Sequence, residues 1–175
     1  MRLIGSRLAR YAAIGTLLCG LPCTFGCPPP SDADAGFIGD AGPPELSVGT
    51  GEEAFAPLMN GDVLELIHGP QGGWHVVVSA RMSGVELDGA RLIIEVRSGE
   101  AGSEETVLAR ISLALLARRL DRDGPSYLKL DNLLIFDVAS PSEIADREVI
   151  VRARLEVGEL VLRDERTVTV VDRLP

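Results

Sequence analysis

The chain has 175 residues, a formal net charge of −9 at pH 7 and only 4% aromatic residues. This length suits one domain with extensions. The negative charge disfavours nucleic-acid partners, and the scarcity of rings disfavours single-strand binding by base stacking. All three cysteines, Cys19, Cys23 and Cys27, lie near the start, so the rest of the chain can hold neither a disulfide nor a cysteine metal site.

Residues 1–26 are predicted to be a secretion signal. Arg2, Arg7 and Arg10 form a basic start with no acidic residue, and a short apolar segment follows them. That segment is too short and too often interrupted by glycine to favour a transmembrane helix.

The end of this leader resembles the signal of bacterial lipoproteins, in which a small residue precedes the cysteine that receives lipid. Here Gly26 precedes Cys27, so the resemblance identifies Cys27 as the lipidation site and a membrane as the partner of the anchor. Pro28 rather than Asp after this cysteine favours the outer membrane, on its periplasmic side or at the surface. The alternative is an ordinary signal peptide cleaved near this point, which would release a soluble secreted protein.

Residues 27–44 are predicted to be the lipidated cysteine and the disordered linker that follows it. Pro, Gly, Ala and Asp dominate the stretch PPPSDADAGFIGDAGPP, which cannot bury enough apolar surface to fold. As a coil it would span roughly 20–25 Å and act as a spacer.

Residues 45–175 are long enough to form one domain with its own apolar core. Alternating apolar residues predict strands at 62–68, 74–82, 91–97, 105–113, 127–137, 147–157 and 159–171. In the second of these, Trp74 and Val76 begin the inward face, while His75 and Val77 begin the outward face. Residues 114–120 fit a helix or a strand equally well, and the segment 127–137 shows an irregularity near Asn132 that indicates a bulge.

About seven strands with short polar loops predict an all-β, antiparallel sandwich. The strand count and spacing are similar to immunoglobulin-like sandwiches, without their disulfide. The domain also resembles uncharacterised domains of predicted bacterial lipoproteins, a family that offers no known activity. The matching residues are Phe55, Pro57, Leu58, Gly61, Asp62, Gly69, Pro70, Gln71, Gly72, Gly73, Trp74 and His75.

The stretch from Gly69 to His75 is the one candidate ligand loop. Its glycines could let the backbone approach a ligand closely, whereas the alternative is a plain hairpin turn. His68 and His75 flank the turn, but their strand phases place them on opposite faces, and a metal site needs three or four ligands. We therefore predict no metal and no cofactor.

The sequence contains no catalytic motif. Gly-x-Ser-x-Gly is absent, and Asp121 to Gly124 lacks the further ligands of a calcium loop, which favours a turn. Four arginines, predicted to lie on the outward face of the last two strands, could form a basic stripe, but interleaved acidic residues favour cross-strand ion pairs. These arginines are Arg152, Arg154, Arg163 and Arg166.

These features predict a non-enzymatic, lipid-anchored module of the cell envelope, with a structural role or with another envelope protein as partner. The alternative is a periplasmic or surface domain that binds a small ligand or a divalent ion. An envelope hydrolase has the least support.

Overall fold

The computed structural model describes residues 42–70, 72–98 and 105–172. The predicted leader, Cys27 and the linker as far as residue 41 lie outside the described residues. Within the described ranges the chain forms ten β-strands and two 3₁₀ helices, Ala117–Arg119 and Pro141–Glu143, which confirms the predicted all-β class. No helix in these ranges has the length and apolar character needed to cross a membrane.

The seven predicted strands are all present, with ends that differ by one or two residues. Three strands are additional. β2 and β7 have only two and three residues, and β1 contains only the two apolar residues Leu46 and Val48. The 3₁₀ helix Ala117–Arg119 lies within the stretch that the sequence left open between helix and strand. The strands are β1 (Glu45–Thr50), β2 (Ala56–Pro57), β3 (Val63–His68), β4 (Trp74–Ser83), β5 (Arg91–Ser98), β6 (Val107–Ala114), β7 (Asp121–Asp123), β8 (Ser126–Phe136), β9 (Glu148–Val157) and β10 (Leu160–Asp172).

Strand β4 is the centre of one half of the sheet. Strand β8 pairs antiparallel along one of its edges, from Trp74 opposite Phe136 to Met82 opposite Tyr127. On its other edge, β3 pairs with the first two residues of β4 and β1 pairs with the last five. The short strands β2 and β7 extend this half next to β1 and β8.

The other half of the sheet has the order β3, β10, β9, β5 and β6. All its pairs are antiparallel except β3 with β10, which run parallel from Val63 opposite Thr169 to Leu66 opposite Asp172. The sheet is therefore mixed, and the predicted purely antiparallel arrangement is wrong. Alternation identifies a strand and its two faces, but the direction of its partner depends on where the chain returns.

The buried residues of both halves form one apolar cluster. In β9, Val149, Val151, Ala153 and Leu155 are buried and alternate with more exposed residues, as the sequence predicts. Trp74, which the alternation places on the inward face, is only partly buried and packs against the cluster. The domain is thus held together by apolar contacts along many strands rather than around one large ring.

The predicted irregularity near Asn132 is a bulge in β8. The register between β4 and β8 shifts between Val78 and Ala80, and Asp131 has a φ of 53°. Aspartate tolerates this left-handed conformation better than most residues. The buried Asn132 amide donates hydrogen bonds to the carbonyl oxygens of Val78, at 2.8 Å, and Lys129, at 3.0 Å, and so holds the bulge in place.

A polar bridge joins β10 to β1 within the curled sheet. Asp164 lies opposite the buried Ala153, so its side chain is on the inner face of β10. Its carboxylate accepts a hydrogen bond of 2.8 Å from the backbone N–H of Val48 and pairs with Arg166. The Arg166 Nε also donates to the carbonyl oxygen of Leu58 at 2.9 Å. Arg166 therefore does not belong to the outward set of arginines in which the sequence placed it.

Replacing Asp164 with Ala should lower the free energy of unfolding by about 1–3 kcal/mol, because the Val48 N–H loses its acceptor and the Arg166 guanidinium loses its carboxylate partner in a sheltered place. Urea denaturation measures the change. Glu159→Ala, in the exposed turn between β9 and β10, is the control and should stay within about 0.5 kcal/mol of the original protein. Equal stabilities of the two variants would contradict the bridge.

Candidate functional site

The candidate ligand loop forms the turn of the β3–β4 hairpin. Gly69 donates a backbone hydrogen bond of 3.0 Å to the Gly73 carbonyl, and Gly72 donates one of 3.0 Å to the Gly69 carbonyl. Gly72 and Gly73 have φ values of 84° and 88°, which glycine adopts without strain. Pro70 is exposed, and Gln71 lies outside the described residues. The backbone groups that the turn uses to close itself are not available to a ligand.

The two histidines beside this turn have different neighbours. His68 lies opposite Trp74, and the centroids of the two rings are 4.7 Å apart. His75 lies opposite Ile67, one residue further along, and therefore on the other face of the sheet. Among the described residues, no group of three or more His, Cys, Asp or Glu side chains is arranged to hold a metal ion.

Part of the outer face of β4 is covered by the segment that follows β1. The Thr50 hydroxyl donates to the Val77 carbonyl at 2.9 Å, and the Ser79 hydroxyl donates to the Gly51 carbonyl at 2.7 Å. Further along, the Arg81 guanidinium lies 5.2 Å from the centre of the Phe55 ring. Val77 and Ser79 are consequently buried, although alternation alone placed them on the solvent side.

The rest of this outer face carries an apolar patch, formed by the exposed Leu133 and Ile135 and the half-buried Ile67 and His75. Ile67, His75 and Ile135 lie in one row across β3, β4 and β8, and Leu133 lies two residues before Ile135 on the same face. Ile135 is 67% exposed and Leu133 is 45% exposed. Isolated exposed apolar residues are ordinary, but adjacent ones on a sheet indicate a contact surface.

A depression of about 180 Å³ lies beside the apolar patch. It is smaller than a usual small-molecule pocket, so it has room for a single side chain of a partner rather than for a whole ligand. Its lining residues are Thr50, Gly51, Glu52, Leu64, Glu65, Ile67 and Val77.

The outer face of the other half of the sheet is rich in arginine. Arg152 pairs with Glu165 directly across β9 and β10 at 2.8 Å, as the predicted cross-strand ion pairing requires, and with Glu105 at 3.2 Å. Partial burial by itself would lower the pKa of Arg152, but its hydrogen bonds and charge interactions with these two carboxylates outweigh that effect and raise the pKa. This face surrounds a depression of about 520 Å³.

A larger cleft, of about 920 Å³, lies among residues of β5, β6, β8, β9 and the segment between β8 and β9. Its lining combines apolar and charged side chains. They belong to Ser98, Val107, Leu108, Phe136, Asp137, Val138, Glu143, Ile144, Arg147, Glu148 and Val149.

Neither the apolar patch nor this cleft was predicted from the sequence. For the patch a signal was present, because the run Leu133-Leu134-Ile135-Phe136 is apolar on both faces of a strand. Such a run predicts either a doubly covered strand or an exposed apolar face. Only the folded chain distinguishes these two cases. The segment after β1 covers part of β4 but not Ile135, so this run forms an exposed apolar face.

No family model and no curated protein matches this chain. Among solved structures, it is similar to the CooA pilin subunit from enterotoxigenic Escherichia coli, at 8% sequence identity and a TM-score of 0.33. The match covers 73% of this chain and 99% of that chain. A likeness this weak assigns neither a fold family nor a function.

Replacing Gly73 with Ala should lower the free energy of unfolding by about 1–2 kcal/mol, because its backbone has a positive φ that other residues adopt only with strain. Gly69→Ala is the matched control. A Cβ there would lie 3.5 Å from its nearest neighbour, the Gly72 carbonyl oxygen, which is an ordinary contact. Thermal unfolding of both variants checks this, and a Gly69 variant as unstable as the Gly73 variant would contradict the turn geometry.

Proposed function

We propose that this protein is a lipid-anchored module of the cell envelope that binds another envelope protein through the apolar patch of Ile67, His75, Leu133 and Ile135. The exposure of Ile135, next to that of Leu133 on the same strand, is the observation that carries the proposal. A sheet face in contact with water is usually polar, so two large aliphatic side chains side by side are best explained by a partner that covers them.

The depression beside the patch supports a protein as the partner. Binding energy at protein interfaces is concentrated in a few anchor side chains that enter small, desolvated pockets. The depression lies between the segment after β1 and the Ile67 side chain, so one partner residue could enter it while its neighbours contact the patch.

The proposed architecture is an immunoglobulin-like sandwich, with the two halves of the sheet facing one another. Its support is the single apolar cluster to which inward residues of both halves contribute, such as Val78 of β4 and Val151 of β9. The anchor is Cys27 after the leader 1–26, and the linker as far as residue 44 holds the domain away from the membrane. The proposed location is the outer membrane, on its periplasmic side or at the surface.

A second candidate function, the binding of a small ligand, has one observation in its favour. The cleft beside Phe136, Ile144 and Val149 has a volume in the range of small-molecule sites and combines apolar walls with charged groups. A ligand in this cleft would leave the apolar patch uncovered, so the two functions predict different effects of substitutions at the two places.

Replacing Ile135 with Glu should weaken binding of the partner protein about tenfold or more, because a charge would be buried in the centre of the interface. The experiment cross-links the protein in its own membranes, identifies the attached protein by mass, and measures the dissociation constant of the purified pair. Stability should change by no more than about 0.5 kcal/mol, since the side chain is exposed in the free domain.

Met59→Glu is the matched control, because Met59 is 61% exposed and lies in a loop outside the patch. This variant should bind the partner like the original protein. If the Ile135 variant also retained full affinity, or if no protein cross-linked next to the patch, the apolar patch would not be the contact surface.

A further inference from the structure

The arginine-rich face has a regular arrangement that the interaction module does not explain. Residues of β6, β5, β9 and β10 lie directly opposite one another and form rows across the sheet. One row consists of Ser112, Ile93, Arg154 and Arg163, and we refer to it as the arginine row.

The rows on either side of the arginine row are balanced in charge. On one side, Arg91 lies opposite Glu156. The row on the other side alternates fully in charge, in the order Arg110, Glu95, Arg152 and Glu165. The arginine row contains two cations and no acidic residue, so the excess positive charge of this face is concentrated there.

Arg154 and Arg163 are direct cross-strand neighbours, whose Cβ atoms lie about 4.5–5.5 Å apart in such a pair. Like charges in this position destabilise a sheet. The exposed Arg163 has no carboxylate of the described residues within ion-pair distance. Arg154 reaches only Glu156, on its own strand, at 2.9 Å. Among the described residues, no carboxylate therefore lies between the two guanidinium groups to reduce their repulsion.

We infer that Arg154 and Arg163 together bind the phosphate or sulfate group of a small solute. Guanidinium groups donate paired hydrogen bonds to such oxyanions, and two of them match the charge of one dianion. Both side chains line the depression of about 520 Å³, which has room for the rest of a small molecule. Ile93 lies in the same row and is only 4% exposed, so it forms an apolar floor beneath the arginine side chains.

The size and charge of the whole chain favour a small solute over an extended polyanion. The net charge of −9 repels nucleic acid and anionic membrane surfaces at long range. The excess positive charge is confined to one row, so a single anionic group matches it and a long chain of anions does not. This site goes beyond the proposed protein contact, because it uses β9 and β10 rather than β3, β4 and β8.

The test is a thermal-shift titration of the mature protein with inorganic phosphate, at an ionic strength held constant with chloride. The midpoint should rise by about 3 °C or more when phosphate is in tenfold excess over its dissociation constant. Arg163→Gln and Arg154→Gln should each lose most of this shift. Without phosphate, Arg163→Gln should melt at or above the temperature of the original protein, because the like-charge contact is removed.

Arg91→Gln is the matched control, since it removes the same charge from the same face but lies in the neighbouring row and does not line the depression. It should keep the full phosphate shift, and this comparison removes the general stabilisation that phosphate gives many proteins. Equal shifts in the Arg163 and Arg91 variants would overturn the inference. Binding to phosphatidylglycerol vesicles with no response to free phosphate would also overturn it, because the occupant would then be a membrane.

Discussion

Strand β3 pairs with strands of both halves of the sheet, and the continuity of the sheet depends on it. Its first residues, Val63 to Leu66, pair with β10, and its last two pair with β4. Leu64 and Leu66 are each 2% exposed and enter the common core from this strand. The domain has no cysteine, so no covalent link can replace these contacts. Without β3, the facing edges of β4 and β10 would expose unpaired backbone groups, which are costly to leave unsatisfied and prone to aggregation.

The two halves of the curled sheet present outer faces with different chemistry. Around β9 the face follows the usual rule for a solvated sheet. Arginines and glutamates lie next to each other in the rows on either side of the arginine row, and long side chains shield Ile93. Around β4, the segment after β1 covers part of the outer face, and Ile135 remains exposed to solvent. We propose a small anion as the ligand of the first face and a protein as the partner of the second.

The sequence predicted the strands well, because long alternating runs are unambiguous. In β9, Val149 to Leu155 had the expected phase, and the irregularity near Asn132 is a bulge held by that side chain. Sequence alone could not predict which strands run parallel, because the pairing of β3 with β10 depends on the path of the whole chain. It also placed Val77 on the solvent side and Arg166 on the outer face. Alternation separates two faces but does not show what packs on either of them.

The proposal that the domain works at a membrane surface, attached to another protein, is tested most directly by native mass spectrometry of the protein extracted from its own membranes. We predict a mature chain that begins at Cys27, carries the added mass of a diacylglycerol and an acyl group, and has a second protein bound to it. A chain that begins at another residue, has no lipid and is detected without a bound second protein would contradict both the anchor and the interaction module.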